Sequence, residues 1–203
     1  MKKIFFVSIS MLPVDKLTPV YYRFEGEEKA ADYKSCYPSI LLMERNIKAD
    51  DEVKIVAVRT DDDNERTAAN FEVFEKELAA LSLRTGISLS VAETVTVPHN
   101  EDKAKLITML KELSAAFIRD AEVYMDVTYG TKVTAIELFT SLVYGAKVKN
   151  CEIMSVVYGK FDHGDTADGT VYDIRPLYDI ANLIYAADHL PEEQLNTLLD
   201  SFW

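Results

Sequence analysis

The sequence predicts an α/β fold: a Rossmann-like, open and mostly parallel sheet with helices on both faces, together with a β-hairpin and C-terminal helices. Two observations predict this class. Short apolar runs rich in β-branched and aromatic residues recur five times along the chain. Segments with helical periodicity separate the runs, and this alternation is typical of βαβ units with parallel strands.

The apolar runs are the predicted strands of the sheet, and they cover residues 4–9, 53–59, 88–97, 122–127 and 152–158. Because the segment 159–169 is polar and flanked by glycine, the strand predicted over 170–174 is expected to fold back as a hairpin. Helices are predicted over 27–48 (with Pro38 as a kink or break), 64–85, 100–119, 131–146, 177–189 and 192–202. We expect a Rossmann-like domain over 1–175 and a helical tail over 176–203.

Bulk properties exclude several classes of function. The net charge of −12 and the lack of a basic stripe argue against binding to duplex nucleic acid. No apolar run reaches the roughly 18 to 20 residues that a membrane span needs. The two cysteines, Cys36 and Cys151, are far apart in the sequence, which favours a reducing cytoplasm over a disulfide-linked secreted fold.

Two loops are candidates for a ligand site, because ligands of open parallel sheets bind outside the carboxyl ends of the strands. The first follows the first strand and contains Ser8, Ile9, Ser10 and Met11. The second, residues 126–132, follows the fourth strand and reads Asp-Val-Thr-Tyr-Gly-Thr-Lys.

The second loop has features that suit an anion. Gly130 allows close approach of a ligand to the backbone, and the N–H groups at a helix start favour negative charge. Thr128 and Thr131 offer hydroxyl donors, and Lys132 adds a positive charge. In the alternative interpretation, Thr128 only caps the helix and Gly130 only turns the chain.

Motifs for other common activities are missing from the sequence. The loop after the first strand, Ser-Ile-Ser-Met-Leu-Pro, has no G-x-G-x-x-G for a dinucleotide. There is also no P-loop and no G-x-S-x-G nucleophile elbow. The histidine spacing fits no zinc site, so we expect no cofactor and no metal.

The loop 126–132 resembles a hybrid of two signature loops of the CARF family, the CRISPR-associated Rossmann-fold sensors. One form of the family loop reads Asp-x-Thr-His-Gly, and the other reads Asn-x-Thr-Gly-Gly-Thr-Lys. Residues 3–8, 153–161 and 171–177 are also similar to family segments. Tyr129 replaces the family's histidine or second glycine, and its ring could stack on a base.

The resemblance implies a homodimer that binds a cyclic oligoadenylate, the second messenger of type III CRISPR immunity, in a pocket across its two-fold axis. A symmetric ring of phosphates would match a symmetric pair of helix N-termini. The implied ligand-binding residues are Ser8, Ile9, Ser10, Met11, Thr128, Tyr129, Gly130, Thr131 and Lys132.

Two other functions stay open. Some stand-alone relatives cleave the ring without metal, through attack of a ribose 2′-hydroxyl on the adjacent phosphate. In such a ring nuclease, Lys132 and Ser10 would be the catalytic residues. A non-enzymatic accessory protein that acts through protein contacts is the third possibility.

Overall fold

A computed structural model describes residues 1–61, 66–98, 102–161, 168–187 and 189–200. The strands are β1 (Lys2–Ser8), β2 (Val20–Phe24), β3 (Lys34–Ser35), β4 (Glu52–Asp61), β5 (Val91–Pro98), β6 (Glu122–Asp126), β7 (Glu152–Phe161) and β8 (Asp168–Asp173). The helices are α1 (Pro38–Asn46), α2 (Arg66–Thr85), α3 (Lys103–Ala116), α4 (Lys132–Lys149), α5 (Arg175–Ala186) and α6 (Glu192–Asp200), and a 3₁₀ helix covers Val14–Lys16. The predicted α/β class is confirmed.

The described strands form one eight-stranded sheet in the order β3-β2-β8-β7-β6-β1-β4-β5. The strands from β5 to β7 in that order are parallel neighbours. β8 is antiparallel to β7, β2 is parallel to β8, and β3 is antiparallel to β2. β1 lies between β4 and β6, and the parallel part of the sheet extends from β4 to β5 on one side and from β6 to β7 on the other. The junction of β1 and β6 is therefore the switch point of the sheet, where ligands of such folds bind.

Helices cover both faces of the sheet, as predicted. The alternation along β1 separates the two cores, because successive side chains of a strand point to opposite faces. Phe5 and Val7 belong to the core under α1 and α2, whereas Ile4 and Phe6 belong to the core under α3, α4 and α5. Phe5 stacks on Tyr124 of β6 with 4.7 Å between the ring centroids, which ties the two strands of the switch point together.

The prediction of a helix over 27–48 is wrong before Pro38, the expected break, and correct after it. This part of the chain contains the two-residue strand β3, and a helix begins only at Pro38. Proline suits the first turn of a helix, and the residue before it favours extended backbone, as Tyr37 does with φ −120° and ψ 119°. The preceding connection also contains β2, which sequence reasoning missed because its partner β8 is distant in the chain.

The remaining predicted strands and helices are present, with shifted ends. The hairpin is confirmed, since β7 and β8 pair antiparallel from Val157↔Asp173 to Phe161↔Gly169. The helix starts predicted at residues 64 and 100, and the helix end predicted at 202, lie outside the described residues. None of the described helices is long and apolar enough to cross a membrane.

The tail helices differ in how firmly they pack. In α5, Tyr178 is buried and meets Phe139 of α4 edge-on, with 6.0 Å between the ring centroids. Arg175 also donates a hydrogen bond to the Met154 carbonyl oxygen of β7 at 3.4 Å. By contrast, α6 has no buried residue in the described chain. α5 therefore completes the sheet's cover, whereas α6 lies at the periphery.

Candidate functional site

A cleft of about 400 Å³ opens at the carboxyl edge of the sheet, over the end of β6. Three segments line it: part of the loop after β1, part of the loop after β6, and the end of β7. In that order they are Met11–Leu12, Thr128–Gly130 and Tyr158–Phe161. The cleft therefore lies at the switch point, and both loops singled out in the sequence contribute to it.

The floor beneath the cleft is organised by Asp126, whose side chain is fully buried. Its Oδ1 accepts hydrogen bonds from the Thr128 N–H at 2.9 Å and from the Thr128 hydroxyl, and its Oδ2 accepts from the Ser39 N–H at 3.0 Å. Burial raises the pKa of the carboxyl, and these hydrogen bonds oppose the rise. Because Tyr37, the N-cap of α1, makes no side-chain cap, Asp126 caps that helix from β6.

Thr128 connects this floor to the wall formed by β7. Its hydroxyl oxygen, which donates to Asp126, accepts a hydrogen bond from the Gly159 N–H at 2.8 Å. A Cβ on Gly159 would lie 2.4 Å from Cγ of Pro38, so any larger residue would displace the wall. Glycine is therefore needed here for close packing between β7 and the start of α1.

The loop after β1 supports the site mainly from within. Ser8 donates a hydrogen bond to the Asp126 carbonyl oxygen and accepts one from the Tyr129 N–H, both at 3.0 Å. Ser10 accepts from the Leu12 N–H at 3.1 Å. The predicted ligand-binding residues Ser8, Ile9 and Ser10 are fully buried and do not line the cleft. Met11 does line it.

Asn70 of α2 fixes the shape of the same loop. Its side-chain amide donates hydrogen bonds to the carbonyl oxygens of Ser10 and Leu12, both at 2.8 Å. Asn70 is fully buried, so these bonds are protected from water. The turn that brings Met11 and Leu12 to the cleft is therefore held from near the start of α2.

The ring of Tyr129 lies in the core below the cleft. Only 9% of the residue is exposed, and its hydroxyl donates to the Cys36 carbonyl oxygen at 2.8 Å. The ring meets Tyr37 edge-on, with 5.4 Å between the centroids. Burial raises the pKa of its hydroxyl. This placement does not offer the ring for stacking on a base, although the residue is part of the cleft lining.

At the end of the second loop, Thr131 rather than Thr128 caps α4. Its hydroxyl accepts a hydrogen bond from the Thr134 N–H at 3.1 Å. The interpretation of Thr128 as the helix cap is therefore wrong. Gly130 has φ +88°, a left-handed conformation that favours glycine. Lys132 is exposed at the first turn of α4, outside the cleft lining.

Sequence reasoning missed the wall formed by the end of β7. Tyr158, Gly159, Lys160 and Phe161 all line the cleft, whereas the strand was predicted to end at Tyr158. The cation in this lining is Lys160, not Lys132. β7 continues past the end of β6, and the β-forming residues Tyr158 and Phe161 on either side of Gly159 and Lys160 were a signal for this extension.

The chemical character of the cleft differs from that of the whole protein. Its described lining contains a lysine, hydroxyl groups, glycine backbone and apolar side chains, but no carboxylate, although the chain carries a net charge of −12. The described residues contain no group of three or more His, Cys, Asp or Glu that could hold a metal ion. The arrangement therefore suits a ligand with both anionic and apolar parts.

Comparison with known proteins adds no independent assignment of this site. No family model matches the chain, and no curated protein is significantly similar to it.

Proposed function

We propose that the protein is a CARF-like sensor that binds a cyclic oligoadenylate second messenger of type III CRISPR immunity in a homodimer. One observation carries the proposal. The described lining of the cleft at the switch point has no carboxylate, although the protein is acidic, and it includes part of the loop that resembles the family signature. Ligands of open α/β sheets bind at this point of the fold.

The phosphodiesters are assigned to the loop before α4. Gly130 lacks a side chain, so a phosphate can approach the backbone closely. The N–H groups in the first turn of α4 point toward the same end of the helix, where the helix dipole favours an anion. Lys160, at the end of β7, also lines the cleft and supplies a positive charge.

A second copy of the chain is assigned to the outer surface of α4 and α5. The apolar residues of α4 form a stripe at helical spacing, and four of them are well exposed: Ile136, Val143, Tyr144 and Val148. Leu177, Ile184 and Tyr185 of α5 are exposed beside it, since Phe139 and Tyr178 join the two helices. Exposed apolar residues on two helices that pack against each other are typical of an interface. Because the loop before α4 lines the cleft, pairing of two α4 helices about a two-fold axis parallel to them would bring two clefts to that axis.

Binding is proposed rather than cleavage. The Ser10 hydroxyl is buried and accepts from the Leu12 N–H, and Lys132 lies outside the cleft lining. Neither of the two expected catalytic residues therefore faces the space in which the ring would lie. The ring-nuclease and accessory functions become outcomes of the binding experiment.

The binding experiment uses labelled cyclic tetra- and hexa-adenylate without metal, and it follows both complex formation and products. We expect binding without turnover. Lys160→Ala removes a charge that would pair with a phosphate, so it should weaken binding of the ring about tenfold. Lys111→Ala, on the exposed surface of α3, is the control and should bind normally. Lys132→Ala should have a smaller effect than Lys160→Ala, because Lys132 lies outside the lining.

The other results are equally informative. Linear products with 2′,3′-cyclic phosphate ends would show that the protein is a ring nuclease and would overturn the sensor proposal. Failure of the wild-type protein to bind either ring would overturn the proposal and favour the accessory function.

The proposed dimer surface is tested by light scattering. Ile136 is 64% exposed on α4, and Ile107 is 48% exposed on α3. A charge buried in a dimer interface is strongly unfavourable, so Ile136→Glu should yield a monomer. Ile107→Glu should leave the dimer intact. A dimer that persists in Ile136→Glu would exclude this surface.

A further inference from the structure

The end of β7 extends past the end of β6. β6 pairs with β7 only as far as Asp126↔Val157, after which β6 turns into the loop 127–131. The following residues of β7 continue to pair with β8 on the other side, up to Phe161↔Gly169. Residues 158–161 therefore have β8 on one edge and the cleft on the other.

The direction of the backbone groups along this edge follows from strand alternation. The carbonyl oxygen of Val157 accepts from the Val127 N–H, and the N–H of Gly159 donates to Thr128. Both groups therefore point toward the side of β6. Since the N–H and C=O of one residue in a strand share a side, the carbonyl oxygen of Gly159 also points that way. It faces the cleft at a place where no strand lies opposite.

Tyr158 supplies an aromatic surface beside this carbonyl. The residue is 44% exposed and lines the cleft. Met11 and Leu12 line the cleft as well and are partly exposed, so the loop after β1 contributes apolar side chains. An aromatic ring and apolar side chains around one space suit a planar base, because every nucleobase has a face that can stack.

We propose that the end of β7 is the base-recognition wall of the cleft. The ring of Tyr158 stacks on a purine base, and the carbonyl oxygen of Gly159 accepts a hydrogen bond from the exocyclic 6-amino group of that base. This inference rests on the proposed function and deepens it: the wall selects the 6-amino purine, adenine, whereas the loop before α4 holds the phosphate.

The first part of the test measures stacking with wild-type protein and cyclic tetra- and hexa-adenylate. Tyr158→Ala removes the ring on which one base would stack, so it should weaken binding of the adenylate ring about tenfold or more. Tyr158→Phe keeps the ring and should bind normally. Tyr21→Ala is the matched control, since Tyr21 is 38% exposed on β2 and lies outside the cleft lining. Circular dichroism verifies that each variant is folded.

The second part measures the carbonyl contact with cyclic oligoinosinate of the same ring size. Inosine carries an oxygen in place of the 6-amino group, so a hydrogen-bond acceptor of the base would face the Gly159 carbonyl oxygen, which is also an acceptor. We expect wild-type protein to bind the inosine ring about tenfold more weakly than the adenosine ring. Tyr158→Ala should keep this discrimination, because the carbonyl belongs to the backbone.

Failure of this inference is distinguishable from failure of the proposed function. The wall does not recognise the base, but the sensor function stands, if two results are found together. Tyr158→Ala would bind the adenylate ring as tightly as the wild type does, and the wild type would bind the inosine ring as tightly as the adenylate ring. If wild-type protein binds neither adenylate ring, both are overturned.

Discussion

The two edges of the sheet use buried charge in different ways. At the amino edge, Lys3 is buried between Asp51 at 2.8 Å and Glu122 at 3.5 Å, and it also donates to the Asn46 carbonyl oxygen. At the carboxyl edge, Asp126 is buried among neutral N–H and O–H donors from Thr128 and Ser39. Buried charges therefore form ion pairs at the amino edge, whereas at the carboxyl edge a single buried carboxyl group accepts hydrogen bonds from a loop.

This difference explains how an acidic chain can form a cleft that suits an anion. The hydrogen bonds to Asp126 direct its carboxylate inward, beneath the loop, where it is fully buried. The outer surface of the loop presents glycine and backbone groups, and Lys160 lines the same cleft. The amino edge keeps its acidic groups in ion pairs instead. The predictions below test whether one edge stabilises the fold and the other shapes the cleft.

The largest effect is expected for Asp126→Ala. Both the Ser39 N–H and the Thr128 N–H would lose their acceptor in a buried place, so the free energy of unfolding should fall by about 3–5 kcal/mol. Urea denaturation measures it. Asp15→Ala, at an exposed position, should change stability by less than about 0.5 kcal/mol. A loss similar to that of Asp15→Ala would refute the role of Asp126 as the anchor of the loop.

The amino edge should respond to Lys3→Met with a loss of about 3 kcal/mol, because Asp51 and Glu122 would be left without their buried cation. Ligand binding should be unchanged, since Lys3 lies at the opposite edge from the cleft. Weakened binding in this folded variant would mean that the two edges are coupled.

The same ion pair predicts a pH dependence of stability. Burial opposes ionisation of Asp51, but hydrogen bonds from Lys3, the Lys48 N–H and the N-terminus outweigh it and lower the pKa from 3.8 to about 2. This contribution is complete above pH 3.8 and is lost as the pH falls to about 2. Denaturation across this range should show a smaller loss in Lys3→Met than in the wild type. Identical slopes would count against the pair.

A smaller loss, about 2 kcal/mol, is expected for Gly159→Ala, because the new Cβ would overlap Pro38. The displaced wall should also weaken ligand binding. Gly26→Ala is the control: its φ of +80° brings a strain of about 1 kcal/mol, but its surroundings are open and it lies outside the cleft lining. If Gly159→Ala bound as tightly as Gly26→Ala, the wall would not shape the site.

The smallest effect is expected for Ser8→Ala, about 1–2 kcal/mol, since it leaves the buried N–H of Tyr129 without an acceptor. Ser88→Ala, at an exposed position, should be nearly neutral. Thermal unfolding compares the two. A Ser8→Ala variant that kept full stability but lost ligand affinity would instead place this serine in direct contact with the ligand.

The sequence allowed the parallel core and the edge at which the cleft lies to be predicted, because they depend on local patterns. The apolar runs of β1, β4, β6 and β7 are distinct, and the carboxyl ends of such strands meet at one edge. The first part of the predicted helix over 27–48 failed because β3 forms there by pairing with β2, and β2 in turn depends on pairing with β8, which is far away in the chain. Residue type showed which loop was polar, but not that Asp126 points inward.

The same limit applied to individual site residues. Ser8 and Ser10 are polar, yet they are fully buried because the loop after β1 folds back under Asn70. Lys132 was favoured by its place in the loop motif, whereas Lys160 reaches the cleft because β7 extends beyond β6. Strand length relative to a neighbour is a property of the sheet, and a single segment of sequence does not reveal it.

The most direct test of the account is an amide NMR titration of the wild-type protein with cyclic tetra- and hexa-adenylate. The chain has only seven glycines, so their amide signals can be assigned and followed individually. The account predicts that the signals of Gly130 and Gly159 shift on binding while those of Gly26 and Gly86 stay in place. Shifts centred on the amino edge around Lys3 and Asp51, or unchanged Gly130 and Gly159 signals, would contradict it.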